Sequence, residues 1–308
     1  MVIKVNSLKK SFGDTQALDG ISFEVDRGEI FGFLGPNGAG KTTTVKILAT
    51  MLLADNGKSE VMGYDVEEHP KKVRGLVDVI TARDKFYRRL DAYQNIKFFS
   101  SIYQVDDWKS KMEDYGEYLG LEKKDFEKRL ADFSTGMRQK LNLIRNLIRK
   151  TPILFLDEPT LGLDPVSSRK FRRLLKEVME EENKTVIFTS HNMYEVEEIC
   201  ERIAIIKEGN ITKTGKPKDL KKEIFPKRMI EFSYEDAQQF SLEHEFIDDI
   251  KRRGRKTRVI ISSEGNVHDV IQEILDRGRV NDITVKEPTL EDAFIKHTEE
   301  KEGDLDWT

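Results

Sequence analysis

Apolar and polar residues alternate near the start of the chain, in "VIKVNSLKKSFG" (2–13) and "ISFEVDRGE" (21–29). A period of two marks half-buried strands, and the pattern predicts antiparallel pairing. In "EIFGFLG" (29–35) the alternation gives way to a buried strand running into a glycine-rich turn. The spacing in "KTTTVKILATMLLADNG" (41–57) predicts a helix stopped by glycine. "SEVMGYDV" (59–66) predicts another short strand, and from Arg83 to Ile148 the pattern is helical and rich in aromatics. "PILFLDEP" (152–159) is an apolar run of strand length that ends in two carboxylates. An amphipathic helix, "SSRKFRRLLKEVMEEEN" (167–183), precedes the buried strand "KTVIFTSH" (184–191). "MYEVEEICERI" (193–203) predicts a helix, and "IAIIKEGNITKTG" (203–215) a hairpin with Gly209-Asn210 at its turn. Strands alternating with helices predict a mostly parallel sheet.

Around 222–228 the pattern changes. "RMIEFSY" (228–234), "TRVIISS" (257–263) and "NDITVKE" (281–287) predict strands. "NVHDVIQEILDRG" (266–278) and "TLEDAFIKHTEE" (289–300) predict helices. The expected organisation is a large α/β domain over 1–222 with a helical insert at about 85–150, a small α+β domain over 223–298, and a polar tail over 299–308. The dense basic run "KRRGRKTR" (251–258) predicts a solvated turn before a strand, with a phosphate or nucleic-acid patch as the alternative.

Composition narrows the class. The chain has 308 residues, 35% charged and 38% hydrophobic, with a net charge of −4. That balance fits a soluble globular protein and argues against one that lives on nucleic acid. The single cysteine, Cys200, excludes a disulfide framework and is expected to be a buried small apolar side chain. "MVIKVNSLKK" holds no apolar segment of signal-peptide length, and no window holds the ~18 apolar residues of a membrane span. The expectation is a cytoplasmic protein whose membrane role, if any, needs a partner.

"GPNGAGKT" (35–42) follows a predicted strand and opens a predicted helix, the context in which G-x-x-x-x-G-K-[ST] binds phosphate. Gly35, Gly38 and Gly40 let the backbone curl until its N–H groups point inward, and the helix N-terminus adds partial positive charge. Lys41 is in reach of β- and γ-phosphates, and the Thr42 hydroxyl of Mg²⁺. The expected nucleotide-binding stretch is Gly35, Pro36, Asn37, Gly38, Ala39, Gly40, Lys41, Thr42 and Thr43. Asp157, at the carboxyl end of a buried strand, is placed for the Mg²⁺ shell. Glu158 beside it is a candidate to polarise an attacking water; the alternative is pairing with a nearby cation. His191 ends another strand and is a candidate γ-phosphate contact; alone it would be an ordinary histidine. A second motif, "FSTGMRQKLN" (133–142), again puts a hydroxyl and a glycine before a helix.

The ordered set "GPNGAGKTT", "FSTGMRQKL", "ILFLDEP", "LGLDP" and "SHNMYEVEEICERI" resembles the nucleotide-binding subunit of an ATP-binding cassette (ABC) transporter, over residues 2 to 222. "EPTLEDAFIKH" and the form "STGMRQKL" resemble the drug- and sodium-export branch. The resemblance implies a P-loop NTPase core of mostly parallel sheet, with an antiparallel β subdomain, a helical insert and a small C-terminal α+β domain. It implies an ATPase with ATP and Mg²⁺ as ligands. Ser134 and Gly136 would meet the γ-phosphate held by a partner subunit's glycine loop, so two chains would sandwich two ATPs head to tail. Asp164 in "LGLDP" would belong to the cross-dimer loop, and Phe12 would stack on adenine or else be plain β-core. A separate transmembrane permease would be the partner, with no nucleic acid, and the protein would sit on the cytoplasmic face of the membrane.

One residue departs from the family. A glutamine normally stands after the strand before the helical insert; here Thr81 is near that place and the first glutamine is Gln94. Neither is counted as a site residue. The segment "RDKFYRRL" (83–90) resembles the family's stretch on the C-terminal side of that glutamine. The aromatics Phe86, Tyr87, Tyr93, Phe98, Phe99 and Tyr103 are expected to be mostly core, with one or two at a groove for a helix of the membrane subunit. The competing functions are a non-transport cassette ATPase acting on ribosomes or nucleic acid, and a regulatory subunit that binds ATP without turnover.

Overall fold

A computed structural model describes residues 1–81, 86–224, 227–234, 242, 245–253, 256–262, 265–287 and 289–298. The chain divides into two compact units, Met1–Lys216 and Pro217–Thr308. The polar tail and the start of "RDKFYRRL" lie outside the described residues.

The first unit opens with β1 (Ile3–Phe12) and β2 (Thr15–Val25), then β3 (Ile30–Leu34) and helix α1 (Lys41–Leu48). Next come β4 (Asn56–Val61), β5 (Tyr64–Asp65), α2 (Pro70–Leu76) and β6 (Val77–Ile80). The helical insert contributes α3 (Ala92–Tyr103), α4 (Trp108–Tyr118), α5 (Lys123–Phe126) and α6 (Thr135–Ile148). The chain returns to the sheet with β7 (Ile153–Asp157), α7 (Pro165–Glu182), β8 (Thr185–Ser190), α8 (Met193–Ile199), β9 (Arg202–Lys207) and β10 (Asn210–Gly215).

Two sheets result. One is antiparallel, in the order β2-β1-β4-β5; the other has six strands, in the order β10-β9-β3-β8-β7-β6. Every residue of β3, β7 and β8 is buried, as expected of strands covered on both faces. Their pairing is parallel, with only β10 antiparallel. The alternating strands of the first sheet turn Ile3, Val5, Leu18 and Phe23 into a core shared with Phe31, Phe33 and Phe155 of the second. Phe23, Phe31 and Phe33 meet edge-to-face and stacked, with centroids 4.9–5.6 Å apart. Parallel register brings the strand ends level: Leu34 pairs with Ser190, and Asp157 with Thr189. Any chemistry at the ends of these strands is therefore gathered on one edge of the sheet.

Local expectations fail where a turn signal outside regular sequence patterns takes over. The helix expected over 41–57 stops at Leu48. Thr50 adopts left-handed backbone (φ 58°), and the Met51 and Thr50 N–H groups donate to the Lys46 and Ile47 carbonyls, which closes the helix without glycine. Gly57 instead lies in β4, where a Cβ would meet the Ser7 carbonyl oxygen at 2.4 Å. The hairpin turn after β9 is Glu208-Gly209, one residue earlier than expected, because both have positive φ (50° and 75°). Of the six aromatics expected to be mostly core, only Phe86 is buried; Tyr87, Phe98 and Tyr103 are exposed. Tyr87, Phe98 and Phe99 make a ring cluster on the surface of the insert, and the Arg145 guanidinium lies 4.8 Å from the Phe99 centroid. Cys200 is buried, and burial pushes its thiol pKa up.

The second unit comprises α9 (Pro217–Ile224), β11 (Lys227–Tyr234), β12 (Ile247–Arg253), β13 (Lys256–Ser262), α10 (Val267–Asp276), β14 (Val280–Lys286) and α11 (Leu290–Thr298). Its antiparallel sheet runs β12-β13-β11-β14. Ile230, Phe232, Val259 and Ile261 on one face meet Val270 and Ile274 of α10. Strand β12 is not predicted by the sequence pattern. The basic run spans its end and the start of β13, with Gly254 and Arg255 outside the described residues. Among the described residues, no helix is long and apolar enough to cross a membrane.

Candidate functional site

The glycine loop joins β3 to α1 at the edge where the parallel strands end. Two of its glycines are fixed by their own chain. A Cβ at Gly35 would meet the Ile206 carbonyl oxygen at 2.3 Å. Gly40 has φ 110°, and a Cβ there would meet the Ala17 carbonyl oxygen at 2.6 Å. The loop is braced from behind: the Gly209 N–H donates to the Ala39 carbonyl at 3.1 Å, and the Asp19 N–H to the Gly209 carbonyl at 2.9 Å. The stretch Asn37–Thr43, together with Glu158, lines a cavity of about 130 Å³. That is below the ~300 Å³ of a small-molecule pocket and suits phosphate groups, leaving the rest of a nucleotide on the surface.

Lys41 is buried, and its ammonium donates to the Gly35 carbonyl at 2.6 Å and the Pro36 carbonyl at 3.0 Å. Burial lowers its pKa, and the charges of Glu158 and Asp157 oppose that shift. Thr42 donates its hydroxyl to both oxygens of Asp157, each at 2.9 Å. Thr189, register neighbour of Asp157, donates to the same carboxylate at 2.7 Å. Among the described residues there is no group of three His, Cys, Asp or Glu that could hold a metal. A hydroxyl and one carboxylate side by side are instead the oxygen donors that suit Mg²⁺ completed by water and substrate phosphates.

Glu158 lies next to Asp157 in left-handed backbone (φ 52°), which for a non-glycine costs about 1–3 kcal/mol and is concentrated at functional sites. Its N–H is held by the Thr189 carbonyl at 3.1 Å. Its Oε2 is 2.8 Å from Nδ1 of His191, so the two candidates from different strand ends are brought together. The His191 side chain is 56% exposed and that of Glu158 19%. A contact this exposed contributes at most about 1 kcal/mol.

The remaining candidates stand apart from this cluster. Phe12 ends β1 and is 50% exposed, so it is not part of the β core. The Lys10 ammonium lies 5.6 Å from its ring centroid. Ser134 caps α6, accepting from the Met137 N–H at 3.1 Å, and is itself exposed. Gly136 has an ordinary neighbour only, the Gly162 carbonyl oxygen, 3.5 Å from a Cβ built there. Neither Ser134 nor Gly136 lines the cavity of the glycine loop. Asp164 caps α7: it accepts from the Ser167 N–H at 2.9 Å and the Ser167 hydroxyl at 2.5 Å, and these bonds hold its pKa below the usual carboxylate value.

Three residues escaped the sequence reading. Thr189 holds the Asp157 carboxylate through its hydroxyl and the Glu158 backbone N–H through its carbonyl, and its signal was a hydroxyl near the end of a buried strand. Gln139 donates to the Pro159 carbonyl at 2.7 Å, tying α6 to the turn after Glu158. Asn142 donates to the Thr81 carbonyl at 3.1 Å, so the position where the glutamine was expected is bound to the same helix. Gln94 is occupied elsewhere: with Asp91 it forms the reciprocal cap of α3, at 2.7 and 3.1 Å.

A braced glycine loop before a helix, a lysine opening that helix, and an aspartate–glutamate pair at the end of β7 in the same sheet define a nucleotide-hydrolysing cassette. The comparisons with known proteins agree. Residues 18–161 match the ABC transporter family, and residues 215–298 match the family described as "ATP-binding protein DrrA1-3-like, C-terminal domain". The linearmycin resistance ATP-binding protein of Bacillus subtilis is 30% identical over 310 residues, covering 96% of this chain and 98% of that protein. The bacitracin transport ATP-binding protein of Bacillus licheniformis is 30% identical over 299 residues, covering 96% of each. A solved ATP-binding subunit of an ABC transporter superposes with TM-score 0.67 and 23% identity, over 72% of this chain and 93% of that one, and establishes the fold. The chain belongs to the ABC transporter ATP-binding proteins, and its activity is ATP hydrolysis.

Proposed function

We propose that this chain is the ATPase subunit of an export-type transporter and that it works as a head-to-tail homodimer beneath a separate transmembrane permease, on the cytoplasmic face of the membrane. The observation that carries the reading is the contact between Glu158 and His191 at the mouth of the glycine loop, with Asp157 and Thr42 joined just behind it. The names of the two full-length relatives, one conferring linearmycin resistance and one transporting bacitracin, support export.

The backbone of residues 35–43 donates to the phosphates of ATP, with Phe12 against the adenine. Lys41 exchanges the loop carbonyls for β- and γ-phosphate oxygens. Thr42 and Asp157 hold Mg²⁺, which when bound neutralises charge developing on the phosphate oxygens. Glu158 orients a water and takes its proton as the water oxygen bonds to the γ-phosphorus and the bond to the bridging oxygen of ADP breaks. His191 steadies Glu158 and touches the γ-phosphate. Ser134 and Gly136 of the second copy close the site from the other side, and Asp164 belongs to the loop that crosses the dimer. The exposed ring cluster of Tyr87, Phe98 and Phe99 is suited to receiving a helix of the permease. Among the described residues of 223–298 none belongs to these contacts, and that segment is assigned to an accessory domain acting on the dimer or its docking.

Complementation tests the shared site. Lys41→Ala and Ser134→Arg chains are each expected to be inactive. A mixed dimer of the two has one site with both lesions and one site that is whole, so mixing restores part of the phosphate release. No recovery from proven mixed dimers rejects a shared site that can fire alone, and a fully active Ser134→Arg homodimer rejects the shared site altogether.

A further inference from the structure

Glu158 and His191 stand on two different turns, and neither turn holds its side chain by local structure alone. The ladder between β7 and β8 ends at Asp157 and Thr189, just before the two residues. Beneath them lies a carboxylate that belongs to neither turn. Glu195 of α8 is only 3% exposed. Its Oε2 accepts from the Thr160 hydroxyl at 2.7 Å and from the Ser190 hydroxyl at 3.3 Å. Thr160 is the second residue after Glu158, and Ser190 immediately precedes His191. One oxygen thus joins the roots of both turns. Ser190 Oγ also accepts from the Asn192 N–H at 3.0 Å, which brackets His191 on its other side.

Charge balance accounts for only half of this arrangement. The second oxygen of Glu195 accepts from Arg172 Nη1 at 2.9 Å, and Arg172 Nε donates to Glu198 at 2.7 Å. That buried pair fastens α8 to α7 and compensates the charge of Glu195. It places no demand on the residues at 160 and 190. Their hydroxyls are aimed at the oxygen that Arg172 leaves open, and both lie within two residues of the pair proposed to act on ATP.

We infer that Glu195 is a positioning residue for ATP hydrolysis: through Thr160 and Ser190 it sets the distance between Glu158 and His191. The inference rests on the roles proposed above for those two residues. Bonds to a buried carboxylate are charge-assisted and directional, so they hold the turns more firmly than the exposed contact between the pair itself.

The test uses the full chain with ATP and Mg²⁺. Thr160→Val keeps the shape and removes the hydroxyl. It is expected to lower kcat about tenfold, with KM for ATP within about twofold of wild type. Thr160→Ser returns the hydroxyl and should restore kcat to within about threefold. In a Glu158→Gln background, Thr160→Val should add little, because both changes act through one group. Wild-type kcat for a folded Thr160→Val, or a serine variant as slow as the valine one, would overturn the inference. If thermal melting shows the valine variant to be unfolded, Ser190→Ala takes its place: a lower kcat at unchanged KM supports the bridge, and an unchanged kcat rejects it. Glu158→Gln separates the two levels. Wild-type turnover in that variant rejects the role of Glu158 itself. Lost turnover there, with none lost in Thr160→Val, rejects only the bridge.

Discussion

At the N-terminus of α1, two glycines have no room for a side chain; at the N-terminus of α6, the glycine has room. A Cβ at Gly35 or Gly40 would run into the carbonyl oxygens of Ile206 or Ala17 at 2.3–2.6 Å, whereas one at Gly136 would touch Gly162 at an ordinary 3.5 Å. The lysine and threonine of the first motif bond within the chain, to loop carbonyls and to Asp157. Among the described residues the side chain of Ser134 bonds its own helix cap, and Ser134 and Thr135 are exposed. The first motif is thus complete within one chain. In the second, Gly136 stands in the first turn of α6, where glycine costs up to about 1 kcal/mol relative to alanine, and among the described residues a Cβ there would meet only an ordinary contact. The assignment of Ser134 and Gly136 to a second copy's nucleotide rests on the family resemblance and remains a proposal, and the room at Gly136 is compatible with it.

The contrast can be broken or sharpened by substitution. The largest effect is expected at the first motif's mouth. Glu158→Gln should reduce steady-state phosphate release about 10²–10⁴-fold, the range for losing a general base, while nucleotide titration finds ATP affinity retained. Next comes Gly40→Ala, which forces a side chain into left-handed backbone against Ala17. It should lose about 1–3 kcal/mol in urea unfolding, and ATP affinity with it. Ser134→Ala removes one helix cap and should cost about 1 kcal/mol by the same measurement. The smallest stability change belongs to Gly136→Ala, which is expected to match wild type or exceed it by up to about 1 kcal/mol, yet to hydrolyse ATP more slowly. If Gly136→Ala destabilises as Gly40→Ala does, the second glycine serves its own chain and the contrast collapses. If it is stable and fully active, no outside partner needs it either.

Much of this site could be read from the sequence because its parts are contiguous. The loop from Gly35 to Thr43, the cap at Ser134 and the pair Asp157-Glu158 are each specified within a few residues, where residue type and local backbone suffice. The readings that slipped were those in which a neighbour decides. Left-handed Thr50 ends α1, its N–H bonding the Ile47 carbonyl and the Met51 N–H the Lys46 carbonyl, although threonine is no usual helix stop. Most of the aromatics at 86–103 are expected in the core, yet Phe98 and Tyr103 are exposed, and which of them is covered depends on the packing of the insert. β12 carries polar residues at apolar positions and is recognisable as a strand only through its pairing with β13.

What the sequence by itself determined was the kind of chemistry: a phosphate cradle before a helix, a carboxylate pair at the end of a buried strand, and continuous apolar runs that only a covered parallel sheet can bury. These come from composition over short windows, where side-chain chemistry and backbone preference act together. Tertiary structure alone decided which of these parts meet. The register of β7 on β8 sets Thr189 beside Asp157, and the turns beyond it carry Glu158 to within 2.8 Å of His191, 33 residues away. The packing of α8 against α7 buries Glu195 where one oxygen reaches both turns. Such meetings depend on strand register and helix packing, which are cooperative properties of the whole core, and no window of sequence contains them.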